Sequence, residues 1–119
     1  KFFPVTFLSF DLSSLFAGKI HALLTRPYTI GRDYFDLSWY LSRHKNLEPN
    51  FTLLTSAFTQ TGYTGEFPGS GNWREVLLRT LEKADWEAIR NDVKNFLENP
   101  GDLEALDMNN FHLLLSGEG

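Results

Sequence analysis

The chain has 119 residues, no cysteine and a formal charge of −4. That length sustains one domain with a modest core. The lack of cysteine excludes a disulfide framework, thiol redox chemistry and a zinc site of the usual kind, and the acidic balance argues against a strong generic nucleic-acid patch.

Eleven Phe, four Tyr and three Trp need partners, inside this chain or on a missing half. No apolar run reaches the length of a membrane span. Lys1-Phe2-Phe3-Pro4 is too short and proline-broken to be a secretion signal, so the expected compartment is the cytoplasm.

Residues 5–10 read as a strand, apolar on both faces and suited to burial on both sides. No second convincing strand follows, so its edges need a partner. A C₂ homodimer pairing this strand is the simplest closed arrangement.

Helix one covers about residues 11–26, with Asp11, Ser13 or Ser14 as cap. At about 100° per residue, Leu12, Leu15, Phe16, Ile20 and Leu23 share one face. Lys19 and Arg26 fall inside that face, where an unpaired cation is costly. Gly18 either permits a close approach or is simply tolerated, and His21, off the stripe, reads as solvent-facing. Pro27 stops the helix, and Gly31 frees the turn to take an unusual φ.

Helix two runs from about residue 32 to 43 and makes a helical hairpin with the first. Asp33 and Asp36, three apart, lie on one side of it near its electropositive start. Arg26 then faces Asp33. Lys19 lies roughly 10 Å further back, level with Trp39 or Tyr40, and is the cation least neutralised within the hairpin. Arg26 reads as a buried structural ion pair, or the cations serve a site that needs a lysine aimed at an outside anion. Apolar residues all round make helix two central.

Helix three spans residues 50–62, with Asn50 as cap and Gly62 as stop. Residues 63–71 form a mobile surface loop, and no lysine follows at the spacing of a phosphate loop. Asn72 and Glu75 suggest a capping box for helix four, whose stripe is Trp73, Val76, Leu77 and Leu81. Asp85 caps helix five. Trp86, Ile89, Val93, Phe96 and Leu97 form its apolar stripe, and Glu87, Arg90, Asp92, Lys94 and Glu98 its solvated face. Pro100-Gly101 ends it, Asp107 caps a last short helix, and the tail from Ser116 reads as disordered. The predicted fold is therefore mainly α: a helical bundle of five or six helices with one short N-terminal β-strand.

The pattern Leu15-Phe16-Ala17-Gly18-Lys19-Ile20-His21-Ala22-Leu23-Leu24-Thr25-Arg26, then Arg32-Asp33-Tyr34-Phe35-Asp36-Leu37, resembles the C-terminal half of the AbiEii/AbiGii toxin family. Those proteins are nucleotidyltransferases of the polymerase-β-like type, toxins of bacterial toxin–antitoxin and phage-defence systems. The resemblance is dense over residues 5–41. It implies that Lys19 binds nucleotide phosphates and Asp36 acts in the active site, with Arg26, Arg32 and Asp33 in support. It implies Mg2+ and a nucleoside triphosphate for the whole enzyme, neither bound by this chain alone.

The family's catalytic palm, with its Gly-Ser turn and paired aspartates, has no match here. Gly69-Ser70 has no Asp-x-Asp after it. The expectation is thus a single helical domain over residues 1–119, the C-terminal part of a larger enzyme and inactive by itself. Its partners would be a missing N-terminal palm, an antitoxin and an acceptor such as tRNA. The alternative is a non-catalytic helical module that binds an antitoxin or another protein. A helix-turn-helix DNA binder fits less well, because the loop between helices three and four is too long.

Overall fold

The computed structural model describes residues 12–26, 30–95, 97 and 100–116. Six α-helices occur among them: α1 (Leu12–Thr25), α2 (Gly31–Arg43), α3 (Phe51–Gln60), α4 (Trp73–Glu82), α5 (Trp86–Val93) and α6 (Met108–Leu115). A 3-10 turn (Pro100–Ala105) lies between the last two. No described residue is in a strand. The strand expected over residues 5–10, the dimer built on it, the Asp11 cap and the last residues of the tail lie outside the described residues. No described helix is long and apolar enough to cross a membrane.

The mainly helical expectation is met, and α2 is central, packing against α1, α5 and α6. From α1, Phe16, Ala17, Ile20 and Leu23 are buried, while Leu15 is exposed. The buried face is thus rotated towards Ala17, away from the expected stripe. Trp39 also breaks the pattern, as an exposed aromatic on a helix whose other large apolar residues are buried or half-buried. Phe16, Phe58, Trp73 and Phe111 are fully buried within this chain.

Three caps are as the sequence suggests. Asn50 accepts from the Leu53 amide (3.1 Å), Asp85 from the Ala88 amide (3.1 Å) and Asp107 from the Asn110 amide (2.8 Å). Asn50 also donates from its amide to the Ser13 carbonyl (3.0 Å) and from its side chain to Ser14 Oγ (3.1 Å), which ties α3 to α1. Ser13 and Ser14 therefore lie inside α1 and serve this joint, not its cap. Gly62 ends α3 at φ +72°. Its amide donates to the Thr59 carbonyl (3.3 Å) and that of Tyr63 to Phe58 (3.0 Å). The Tyr63 and Phe58 rings meet at 4.4 Å, completing a Schellman stop.

Four local expectations are corrected. His21 is half-buried and not free in solvent: its ring lies 4.9 Å from that of Phe58, and Nε2 is 3.2 Å from Thr61 Oγ1 at the exposed edge. Its flank on α1 is covered by α3. Asn72 makes no capping box. Its Oδ1 accepts from the Gly69 amide (2.6 Å), and its Nδ2 donates to Glu66 Oε2 (2.8 Å). Glu66 also pairs with Arg79, and Phe67 stacks near Phe58 at 5.5 Å. The expected mobile loop is therefore fastened to α3 and α4. Helix α5 stops at Val93, short of Leu97, because the 3-10 turn carries Leu103 and the fully buried Leu106 back to the core. That burial outweighs continuing a helix past the exposed Lys94 and Asn95.

The fourth correction concerns the hairpin turn. Gly31 has no positive φ; it begins α2, and its amide donates to Asp92 Oδ2 at 2.6 Å. A Cβ there would lie 2.8 Å from both the Asp92 Cβ and the Ile89 carbonyl. Glycine is thus required by the approach of α5. Asp92 is not part of a merely solvated face: it satisfies a free amide at the electropositive end of α2. Gly18, by contrast, has nothing near it and is simply tolerated. Gly31→Ala should destabilise the protein by about 1–3 kcal/mol through overpacking against α5, whereas Gly18→Ala should stabilise it by up to about 1 kcal/mol. Urea denaturation of both variants checks this pair.

Candidate functional site

Two helices running antiparallel place four charged groups along one seam. Asp33 lies in the first turn of α2, and Asp36 one turn further on the same side. From α1, Lys19 and, just past its end, Arg26 reach across. Arg26 Nη1 is 3.1 Å from Asp33 Oδ2. Lys19 Nζ is 2.7 Å from Asp36 Oδ2 and 3.7 Å from Asp33 Oδ1. Asp33 thus divides its two oxygens between two cations from the other helix.

The pairing of Arg26 with Asp33 is as expected, but Lys19 is not the unneutralised cation. It contacts both aspartates. Axial rise alone neglects the four-carbon stem, which lets the ammonium reach both aspartates on α2.

Burial is uneven along the seam. Asp33 is 5% exposed, while the side chains of Lys19 and Arg26 retain 32% and 38% exposure and that of Asp36 24%. The arginine end is therefore not a buried ion pair. A buried carboxylate anchors two cations whose outer sides remain open to water and to anions.

Arg32, the fifth residue assigned to the site, does not join the cluster. It points outward and lines a shallow recess with Phe35, Val93 and Leu97. Its position directly before Asp33 puts it about 100° round the helix.

Tyr40 and Tyr34 are site neighbours that the charge pattern alone did not reveal. Tyr40 is buried, one turn after Asp36, with its ring 5.4 Å from that of Phe16. Burial pushes its phenol above the ordinary value; Lys19 opposes this and Asp36 adds to it. Tyr34 is raised by burial and then by Asp33. Both phenols consequently stay protonated at neutral pH. The available signal was the spacing of four from Asp36 to Tyr40, which marks one helix face.

The arrangement does not fit a divalent metal. Among the described residues no group of three or more His, Asp or Glu side chains gathers. Asp33 and Asp36 are directed at Lys19 and Arg26. The open cations suit an anionic ligand such as a phosphate chain.

Asp33→Ala should cost about 2–3 kcal/mol, because it removes a buried hub and a favourable charge at the start of α2. Arg26→Ala should cost about 1 kcal/mol or less, since water reaches the guanidinium. Denaturant midpoints test that order. The raised phenols add an alkaline limit. Their protonated form is favoured by folding, so their contribution is intact below about pH 10 and fades as pH rises through the higher folded values. Tyr40→Phe should flatten the fall in stability above about pH 10, read by denaturation across that range.

The family model described as "Nucleotidyl transferase AbiEii toxin, Type IV TA system" matches residues 2–108. No curated protein and no solved structure matches the chain.

Proposed function

Since the chain belongs to the AbiEii nucleotidyl transferase toxin family, we propose that it is the helical part of an enzyme that transfers a nucleotide to an acceptor such as tRNA. Lys19 and Asp36 are its active-site residues, and Arg26 and Asp33 hold them. The observation that carries this reading is the seam itself, with a buried carboxylate aligning two cations that remain open on their outer side. Arg32 lies off the seam, in the recess with Phe35, Val93 and Leu97, and has no part in this arrangement. The family's description pairs such a toxin with an antitoxin.

A nucleoside triphosphate, when bound, supplies the phosphoryl centre. An acceptor hydroxyl oxygen bonds to the α-phosphorus and gives its proton to a carboxylate base, the bond to pyrophosphate breaks, and pyrophosphate leaves with the electron pair. Lys19 neutralises phosphate charge by turning its ammonium from Asp36 towards the ligand, a mainly electrostatic task. Asp33 keeps the lysine stem in line, and Arg26 supports the phosphate end. Asp36 then has a free carboxylate beside the reacting groups.

Metal carboxylates would come from a palm outside these residues, because the described ones do not fit a metal. On this reading a palm of that kind completes the enzyme, and the chain serves as its C-terminal helical part, inactive by itself.

The test incubates labelled nucleoside triphosphates with RNA. It compares the isolated chain, the enzyme joined to its palm, and Lys19→Ala and Asp36→Asn forms of the latter. We expect no transfer by the isolated chain and a loss of about 10²-fold or more in each variant. Unimpaired transfer by either variant removes that residue from the site. Transfer by the isolated chain overturns the need for a palm.

A further inference from the structure

Beyond the charged seam, the same helix carries a second unusual surface. Trp39 is 41% exposed although it lies only three residues from Asp36. Its indole is held rather than loose. It meets the Tyr40 ring edge-on at 5.3 Å and the His44 ring at 5.6 Å. The Arg43 guanidinium carbon sits over it, 5.7 Å from the ring centre.

The charge around this indole is one-sided. No Asp or Glu occurs between Asp36 and Glu48 in the sequence. Arg43 and Lys45 are exposed, and among the described residues neither has a carboxylate within ion-pair distance. The chain's net charge of −4 therefore conceals a basic and aromatic end to α2.

The core does not require this arrangement. Tyr40, directly beside it, is the residue that packs on Phe16. A partly open indole with an arginine over it and a second exposed cation just past the helix end suits stacking of an unpaired base while phosphates are neutralised nearby. We infer that Trp39, with Arg43 and Lys45, is a stacking subsite for a nucleobase whose phosphates run along α2. The ligand class rests on the nucleotidyltransferase reading. The base belongs either to the nucleotide substrate or to an unpaired end of the acceptor strand.

The experiment reads binding alone, so its outcome is separate from the transfer assay. The protein is titrated with a short single-stranded oligoribonucleotide, with the same strand lacking its bases, and with ATP. Acrylamide quenching of tryptophan emission is followed throughout; the buried Trp73 contributes little to the quenchable signal, and the Trp39→Phe variant gives the share of the partly buried Trp86. The base-bearing ligand should shield the exposed indole. Because both variants lack the indole, their binding is read by the anisotropy of a fluorophore on the strand: Trp39→Ala should weaken it roughly 5- to 100-fold, and Trp39→Phe should retain most of the affinity. Exchanging Arg43 and Lys45 for Gln should lower the salt dependence.

Shielding by ATP alone assigns the base to the nucleotide substrate. Shielding only by the strand assigns it to the acceptor. Equal binding of the strand without bases, or no shielding by either ligand, overturns the proposal. Should Trp39→Ala fail to fold, the parent's quenching and Trp39→Phe decide.

Discussion

The seam between α1 and α2 depends on one buried carboxylate. Asp33 is nearly sealed from water, and burying a charge is tolerable only when it is met by partners of opposite sign. Lys19 and Arg26 meet it from two positions seven residues apart on the other helix. That constraint sets the register of the hairpin. A slip by one residue would turn at least one cation towards the apolar core and leave the carboxylate short of a partner. The charges along the seam thus specify an alignment more than they supply stability.

The hairpin was the most legible part of the sequence. Lys19 and Arg26 repeat with the apolar stripe, and Asp33 and Asp36 share a face, so the pairing of Arg26 with Asp33 follows from helical period, whereas the reach of Lys19 to both aspartates does not. The caps at Asn50, Asp85 and Asp107 and the stop at Gly62 were equally readable, because each is a local matter of one side chain or one φ. What period and propensity missed were long-range facts. Asp92 satisfying α2, the end of α5 at Val93 and the covering of His21 by α3 all depend on which elements lie side by side. Asn72 shows the same limit at short range. Its sequence context suits a cap, yet Glu66 and Gly69 compete for the side chain and win. Lys19, Arg26, Asp33 and Asp36 were legible as one charged cluster, while Tyr40, placed level with Lys19, carried no charge to mark it as part of that cluster.

The aromatic surplus also has a physical resolution. Phe16 meets Trp73 edge-on at 5.5 Å, and Phe58, Tyr63 and Phe67 form a second cluster over the loop after α3. Quadrupolar ring contacts of this kind let large side chains fill a small interior without close face-to-face stacking. Among the described residues most rings are therefore used inside the chain, which makes the exposed ones there, Trp39 above all, informative about what meets its surface.

The bond from the Gly31 amide to Asp92 spans 61 positions. It fastens the very end of α2 that presents Asp33, although the four seam charges all lie within a short run of sequence. During synthesis the hairpin leaves the ribosome well before its clamp. Local contacts can assemble the pair of helices early, but the final setting of α2 waits on a closure of high contact order. The seam is thus local in its chemistry and global in its geometry, and any shortening of the chain before α5 leaves the charges in place with nothing to hold the start of α2 against the rest of the bundle.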